Sequence, residues 1–192
     1  MPKAGNFELL VLAGSFGGME AFTYVLSHLP TDIYPAIIVL THLTANNEQS
    51  YAEVLEESTS HKIYLVKDKH PVESGKIYLA PGGYHLFIED DKTFSLSVDT
   101  KVHHVRPAAD VLFESLAYTY QDKVMAVILS GANHDGAKGI KLISEHGGLG
   151  IIQSPQSAEA EVMPSAAIAS CPECLVTPIN RIPETILEYL MH

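Results

Sequence analysis

The sequence predicts an α/β fold: a doubly wound, mostly parallel sheet with helices on both faces and an antiparallel hairpin as an appendage. Two observations support this prediction. Uninterrupted apolar runs at residues 9–13, 35–43 and 124–129 are typical of strands that are buried on both faces of a parallel sheet. Helix-like segments alternate with the strand-like runs along most of the chain, as they do in βα units. No linker, internal repeat or low-complexity segment divides the chain, so we expect residues 1–192 to form one domain.

The first half of the chain begins with a strand, a glycine turn and a helix. Leu9–Ala13 is the apolar strand, Gly14–Gly18 the turn and Met19–Leu29 the amphipathic helix. The next predicted elements are a strand at 35–43, a helix at 46–58, an alternating strand at 61–66, and a hairpin of 76–80 with 84–89 around Pro81-Gly82-Gly83. Residues 92–98 have the pattern of a third antiparallel strand beside this hairpin.

The second half continues the alternation of helices and apolar strands. A helix is predicted at 107–120, with proline in its first turn, where the missing N–H of that residue costs nothing. The remaining elements are a strand at 124–129, a helix at 135–145 that ends at His146-Gly147-Gly148, a strand at 149–153, a helix at 162–169, a short edge strand at 176–179 and a helix at 183–191.

The composition is that of a globular, acidic protein. Of the 192 residues, 46% are hydrophobic and 18% are charged, and the formal net charge is −11. An acidic chain without a basic stripe is not expected to bind nucleic acid or anionic lipid, since their phosphates would find few cations. Residues 1–6 lack the layout of a signal peptide, and no apolar run is long enough to span a bilayer. We therefore expect a cytoplasmic protein that is not embedded in a membrane.

The two cysteines, Cys171 and Cys174, lie in a Cys-Pro-Glu-Cys segment. Their spacing is that of redox motifs, but the pair lies between the last helices and not at a helix start early in a βαβ unit. A zinc site needs two more ligands, and the sequence has no second cysteine pair. We expect two semi-buried thiols, without a disulfide framework and without a metal.

Polar side chains with complementary chemistry follow three of the predicted strands. Ser15 follows the first strand, His42 ends the second, and Asp135 lies in the loop after 124–129. Because the functional groups of open α/β sheets gather at the carboxyl ends of the strands, these side chains are expected to meet in one crevice. A hydroxyl, an imidazole and a carboxylate are the nucleophile, base and orienting group of serine hydrolases. The order Ser-His-Asp differs from the orders in the chymotrypsin, subtilisin and α/β-hydrolase groups.

Each of these residues also fits a structural role. Ser15 has the position of a helix N-cap, and Asp135 has that of a cap for the helix that it begins. His42 also fits a core histidine that bonds to the backbone, and the chain has 10 histidines that compete for the role of base. Spacing along the chain leaves the structural and the catalytic interpretations open.

Six separate stretches of the sequence carry a resemblance to one protein family. They are Ala13–Gly18, Ile38–His42, Tyr78–Gly82, Arg106–Phe113, Gly131–Gly139 and Met163–Pro164. In this order they resemble the catalytic domain of the CheB family, the chemotaxis protein-glutamate methylesterases, from about residue 8 to the end of the chain. Motif by motif, the family's catalytic serine, histidine and aspartate fall on Ser15, His42 and Asp135.

The resemblance implies an activity and a partner. Members of the family remove methyl groups from glutamate methyl esters on the cytoplasmic helices of chemoreceptors, and many also deamidate receptor glutamines. The reaction that the resemblance implies needs no cofactor and no metal. Backbone N–H groups at Phe16, Gly17 and Gly18, or at Ala132, are expected to hold the oxyanion.

Two departures from the family pattern lie beside the expected oxyanion region. Phe16 stands where the family usually has threonine, and Gly131-Ala132-Asn133-His134-Asp135-Gly136 replaces the usual Gly-Met-Gly-x-Asp-Gly. They motivate an alternative function, a non-catalytic CheB-like module that binds a receptor or a signalling partner. Members usually also carry an N-terminal receiver domain, whereas this chain begins at the catalytic domain, so we expect its regulation to lie elsewhere.

Two further alternatives concern the glycine turn and a basic segment. The glycines of residues 14–18 are typical of a phosphate loop, yet neither the dinucleotide-binding spacing nor the P-loop lysine is present. His103 and His104 are interpreted as ordinary loop residues. Arg106 either belongs to that loop alone or approaches the active crevice and orients a substrate carbonyl or carboxylate.

Overall fold

Strands and helices alternate along residues 7–191, the part of the chain that this structure, a computed structural model, describes. The strands are β1 (Leu9–Ala13), β2 (Ala36–Leu40), β3 (Ile63–Leu65), β4 (Ile77–Leu79), β5 (His85–Ile88), β6 (Phe94–Ser97), β7 (Val124–Ile128), β8 (Leu149–Gln153) and β9 (Leu175–Thr177). The α-helices are α1 (Gly18–Ser27), α2 (Glu48–Thr59), α3 (Ala109–Thr119), α4 (Ala137–Glu145), α5 (Val162–Ser170) and α6 (Ile182–Met191).

The expectations about a signal peptide concern residues 1–6, which lie outside the described residues. Between residues 7 and 191, none of the helices has the length and apolar composition that a membrane crossing requires.

Seven strands form one parallel sheet in the order β3-β4-β2-β1-β7-β8-β9. β1 lies at its centre, where Leu12 is opposite Val39 of β2 and Val127 of β7. Every residue of β1, β2, β7 and β8 is buried, which confirms the predicted parallel sheet that is covered on both faces. The chain adds strands on one side of β1 and later on the other side. The carboxyl end of β1 therefore opens into the type of crevice where α/β sheets place their functional groups.

Helices cover both faces of the sheet, as predicted. On one face α1, α2 and α6 contribute Phe22, Leu55 and Ile186 to a core that they share with the sheet. On the other face α3, α4 and α5 build a second core around Phe113. The hairpin of β5 and β6 adds Phe94 to this second core, so the appendage is anchored by apolar packing.

The predicted pairing of the hairpin is wrong. β4 pairs in parallel with β2 and β3 in the main sheet, and not with β5. All three residues of β4 are buried, and a strand that is apolar on both faces gains most from a place inside a covered sheet. The antiparallel hairpin consists of β5 and β6, with His85 opposite Ser97. The segment predicted as a third antiparallel strand thus supplies the second strand of this appendage.

The expectation of two thiols at Cys171 and Cys174 is also wrong, because a disulfide joins them. α5 ends immediately before Cys171, and the chain then turns so that the Cys174 N–H donates to the Cys171 carbonyl at 3.2 Å. This turn brings the two Cα atoms to 5.6 Å, a separation that a disulfide spans. Both residues are buried.

Candidate active site

Ser15 projects from the tight turn between β1 and α1. Its N–H donates to the Ser130 carbonyl at 2.9 Å, and its own carbonyl accepts the Gly18 N–H at 2.8 Å. Gly17 has a φ of 72°, in the left-handed region, and a Cβ at this position would lie 2.8 Å from Ser130 Oγ. A side chain at residue 17 would therefore strain and crowd the turn. Gly17 is itself the N-cap of α1, so the N-cap alternative for Ser15 is wrong.

His42 lies two residues beyond the end of β2, and its side chain is 9% exposed. Its Nδ1 is 2.9 Å from Ser15 Oγ, and its Nε2 is 2.8 Å from Asp135 Oδ2. An ionised carboxylate only accepts hydrogen bonds, so we assign the ring proton to Nε2, which leaves Nδ1 to accept the serine proton. The ring bonds to side chains and not to backbone, so the alternative of a backbone-bonded core histidine is wrong for His42.

Asp135 is fully buried, and its Oδ2 accepts the hydrogen bond from His42 Nε2. Its carboxylate also accepts the N–H groups of Ala109 at 2.6 Å and Asp110 at 3.0 Å, the first two residues of α3. A helix N-terminus favours a negative charge, because its unpaired N–H groups point at the anion. The helix that follows Asp135 has Gly136 as its N-cap, so Asp135 caps α3 and not its own helix.

The three predicted side chains are thus joined by two hydrogen bonds at the carboxyl ends of β1, β2 and β7. These two hydrogen bonds allow a proton to move from the hydroxyl to the imidazole while the buried carboxylate stabilises the imidazolium that forms. The arrangement is therefore chemically able to activate Ser15 as a nucleophile.

Backbone N–H groups without an acceptor lie in the two segments that the sequence predicted to hold the oxyanion. Within residues 7–191, the N–H groups of Phe16, Gly17 and Ala132 donate to no acceptor of the protein, whereas the N–H of Gly18 is used inside the turn. Two of these free donors follow Ser15 directly in the chain, and they remain available for a substrate oxygen. Phe16, which follows Ser15 directly, is 61% exposed.

Ser130 fixes the turn that carries Ser15, a role that sequence reasoning missed. Its Oγ donates to the Phe16 carbonyl at 2.8 Å and accepts the Ala160 N–H at 2.9 Å. The residue is 2% exposed, so the hydroxyl is buried and its bonds do not compete with water. The only indication of this role in the sequence was the position of Ser130 at a strand end, in the same loop as Asp135. That position does not predict hydrogen bonds to Phe16 and Ala160.

Asn133 is a second site residue that sequence reasoning did not assign. Its Nδ2 lies 3.3 Å from His42 Nδ1, and its Oδ1 accepts the Asp135 N–H at 3.0 Å. The side chain therefore links the backbone of the orienting aspartate to the ring of the histidine. A signal for this residue was present, since Asn133 stands where the family pattern has glycine.

One group among residues 7–191 offers three metal-ligand atoms within 4.8 Å of one another: His103, Asp110 and Asp135. These atoms already have partners in the protein. His103 Nε2 is 2.9 Å from Asp110 Oδ2, and Asp110 Oδ1 accepts the Gly139 N–H at 2.8 Å. A metal ion would have to break these bonds and those of Asp135, so the group fits a structural connection better than a metal site. His103 lies in a loop, as expected, and ties that loop to α3.

A cleft of about 300 Å³ adjoins His42 on the side of the segment that precedes α3. Its walls include Lys101, His104 and Arg106, together with backbone of Thr44 and Gly83. Arg106 Nη1 donates to the carbonyl of Asp99 at 2.8 Å, so the guanidinium is held within its own loop. Arg106 both belongs to the loop and reaches the crevice.

Comparisons with known proteins agree with this fold. The family model of the CheB methylesterases matches residues 10–186. A relative from Leptospira interrogans is 40% identical over 182 residues, which cover 95% of this chain and 94% of the relative. The protein-glutamate methylesterase/protein-glutamine glutaminase of Symbiobacterium thermophilum is 32% identical over 93% of this chain, which spans 49% of that longer relative.

A solved structure has the same architecture. The CheB methylesterase catalytic domain of Thermotoga maritima superposes with a TM-score of 0.89 at 29% sequence identity, with 95% of this chain and 98% of that chain covered. Fold, family model and relatives favour the methylesterase interpretation over the non-catalytic module. The chain belongs to the CheB methylesterase family and is a carboxylic ester hydrolase.

Proposed function

We propose that Ser15, His42 and Asp135 are the nucleophile, the general base and the orienting carboxylate of a protein-glutamate methylesterase. The observation that supports this most strongly is the unbroken line from Ser15 Oγ through His42 to Asp135, with distances of 2.9 and 2.8 Å. The substrate is a glutamate methyl ester on a cytoplasmic helix of a chemoreceptor. Membership of the CheB methylesterase family supports this choice of substrate.

The first half of the reaction acylates Ser15. His42 Nδ1 takes the hydroxyl proton while Oγ forms a bond to the ester carbonyl carbon. The carbonyl oxygen becomes an oxyanion, which the N–H groups of Phe16 and Gly17, or that of Ala132, stabilise. The carbon–methoxy bond then breaks, and His42 gives its proton to the leaving oxygen, so methanol departs and an acyl-serine remains.

The second half returns the enzyme to its starting state. His42 takes a proton from a water molecule whose oxygen attacks the acyl carbon, and the bond to Ser15 Oγ breaks as that oxygen regains a proton from the ring. The product carboxylic acid loses its proton to solvent and becomes glutamate. The sum is ester plus water to glutamate, methanol and a proton, and no cofactor or metal takes part.

The same residues support deamidation of receptor glutamines. An amide carbon accepts the same attack by Ser15, and His42 gives its proton to the amide nitrogen as the carbon–nitrogen bond breaks, so that ammonia leaves. Relatives such as the Clostridium acetobutylicum protein carry both activities in their names, methylesterase and glutaminase.

We also propose a setting for this activity. Residues 1–192 constitute one catalytic domain, which is supported by a single seven-stranded sheet that draws strands from residue 9 to residue 177. The domain acts in the cytoplasm, where the methylated helices of chemoreceptors lie. An acidic surface with a net charge of −11 gives no support to a nucleic-acid partner.

Methanol release from a methylated receptor fragment tests the proposal. We expect Ser15→Ala to lower turnover about 10⁴- to 10⁶-fold, because the triad acts as a unit. Ser27→Ala is the matched control, since Ser27 is exposed at the end of α1 and bonds only to Tyr24 and His28 within the described part of the chain. Near-normal turnover by Ser15→Ala would contradict the serine mechanism.

A further inference from the structure

The cleft beside His42 is charged unlike the rest of the protein. The chain has a net charge of −11, yet Lys101, His104 and Arg106 line this cleft and no aspartate or glutamate does. On the other side of the Ser15 turn, a second cleft of about 210 Å³ is lined by Glu20 and Glu159 and by no lysine or arginine. The two sides of the nucleophile therefore differ in sign.

The cations of the His42 cleft are not neutralised by the protein. Most of the other described cations lie within 4.0 Å of a carboxylate: Lys69, Lys76, Lys92, Lys123, Lys141 and Arg181. Lys101 and Arg106 have no such partner among residues 7–191, and Lys101 is exposed to solvent. Two unpaired cations in one concave site attract an anion more strongly than a paired surface cation does.

Arg106 offers a donor that the protein leaves unused. Nη1 donates to the carbonyls of Val98 and Asp99, which holds the guanidinium in place. Nε is buried, yet it has no acceptor in the described part of the chain. A buried N–H without a partner is costly, so a small turn of the guanidinium that brought Nε to a carboxylate oxygen in the cleft would gain a charge-assisted bond.

We propose that this cleft binds a side-chain carboxylate one helical turn away from the ester, so that the enzyme selects esters on an acidic face of the substrate helix. The inference rests on the proposed function. Side chains three or four residues apart on a helix lie about 5–6 Å from each other. An ester at Ser15 therefore places a neighbouring side chain at the cleft next to His42.

Two synthetic helical peptides test this binding site. Each carries one glutamate methyl ester, with glutamate at the positions four residues before and after it in the first peptide and glutamine there in the second. We expect the wild-type enzyme to hydrolyse the acidic peptide with a kcat/KM about tenfold higher at low salt. In about 0.5 M NaCl the ratio of the two kcat/KM values should fall toward one, because salt screens exposed charges.

Charge reversal at the rim of the cleft gives the decisive comparison. Lys101 is exposed, so Lys101→Glu is expected to fold normally and to lose the preference for the acidic peptide. Lys62→Glu is the matched control, because Lys62 is exposed, has no ion pair in the described chain and precedes β3, at the opposite end of the strands. It should keep the preference. Arg106→Lys retains the charge but loses the Nε donor, and should reduce the preference in part.

The outcomes separate this inference from the proposed function. Equal kcat/KM for the two peptides with the wild type, or an unchanged preference in Lys101→Glu, overturns the carboxylate site and leaves the esterase intact. Methanol release from neither peptide, or release that survives Ser15→Ala, overturns the proposed function instead.

Discussion

The side-chain nitrogen of Asn133 lies 3.3 Å from His42 Nδ1, the same ring nitrogen that Ser15 Oγ approaches to 2.9 Å. Both groups donate to one lone pair, so Asn133 holds the ring with Nδ1 unprotonated and turned toward the serine. We therefore assign it as a positioning residue that acts through His42.

Removal of this side chain should slow the reaction without unfolding the protein. We expect Asn133→Ala to lower kcat about tenfold, because His42 loses a partner and the Asp135 N–H loses its acceptor. Asn133→Asp is the matched variant, since it keeps an acceptor for the Asp135 N–H and loses the donor to the ring. Hydrolysis of a small ester and a thermal melt measure the two effects. An unchanged kcat in both variants would show that the ring needs no help from Asn133.

Asp135→Asn should damage both catalysis and stability. When the amide turns its NH2 group toward His42 Nε2, that nitrogen must accept, so the ring proton moves to Nδ1 and turnover falls about 10⁴-fold. The α3 N–H groups of Ala109 and Asp110 also lose an anionic acceptor, which should lower the free energy of unfolding by about 1–3 kcal/mol. Steady-state turnover and urea denaturation measure these effects. The exposed Asp122→Asn is the control, and wild-type turnover in Asp135→Asn would exclude Asp135 from the relay.

Ser130→Ala should loosen the turn that carries the nucleophile. The variant loses the bonds from Oγ to the Phe16 carbonyl and from the Ala160 N–H. Because the free N–H groups of Phe16 and Gly17 belong to the same turn, we expect kcat to fall about tenfold while KM changes little. Ser27→Ala again serves as control. A rise in KM alone would assign Ser130 to substrate binding and contradict this role.

Glu8 gives a prediction about pH and stability away from the site. Hydrogen bonds from Lys123 and then Lys92 lower the pKa of the Glu8 carboxyl below its ordinary value. A folded-state pKa below the unfolded one means that the stabilisation is present above the ordinary pKa of glutamate, about 4.3, and is lost as the pH falls through the folded pKa. The pairs are partly exposed, so their total contribution is about 1 kcal/mol.

Urea denaturation of Glu8→Gln at several pH values tests this expectation. The variant should unfold more easily than the wild type at pH 7, and the difference should disappear at a pH below the folded pKa of Glu8. Glu188→Gln is the control, since Glu188 is exposed and has no ion pair among the described residues. A difference for Glu8→Gln that stays constant from pH 7 into the acid range would mean that the pairing with lysine is not its cause.

The parallel sheet and the meeting of Ser15, His42 and Asp135 were predictable because they follow from local pattern and one rule. Long apolar runs mark buried strands, and the residue after each run lies at the carboxyl edge of a parallel sheet. The predicted pairing of β4 with β5 was wrong because the sequence of Ile77–Leu79 suits an antiparallel and a parallel partner equally well. Tertiary packing determines the partner strand, and the local sequence pattern contains no information about that packing.

The supporting contacts of the site were not predictable, because they join segments that are distant in sequence. Asp135 accepts from the start of α3, 26 residues earlier, and Ser130 bonds to Phe16 across a separation of 114 residues. The family pattern indicated that Phe16 and Asn133 were unusual, but the role of Asn133 appears only in its contacts with His42 and Asp135. The Cys171–Cys174 bond depends on a turn after α5 that the spacing alone did not specify.

Labelling with a fluorophosphonate, which loses fluoride as it phosphonylates an activated serine hydroxyl, followed by peptide mass spectrometry, is the decisive test of whether Ser15 is a nucleophile. We expect one modified residue, Ser15, with labelling abolished in Ser15→Ala and greatly slowed in His42→Ala. An unlabelled wild-type protein that is folded by circular dichroism, or a label on any other serine, would contradict it.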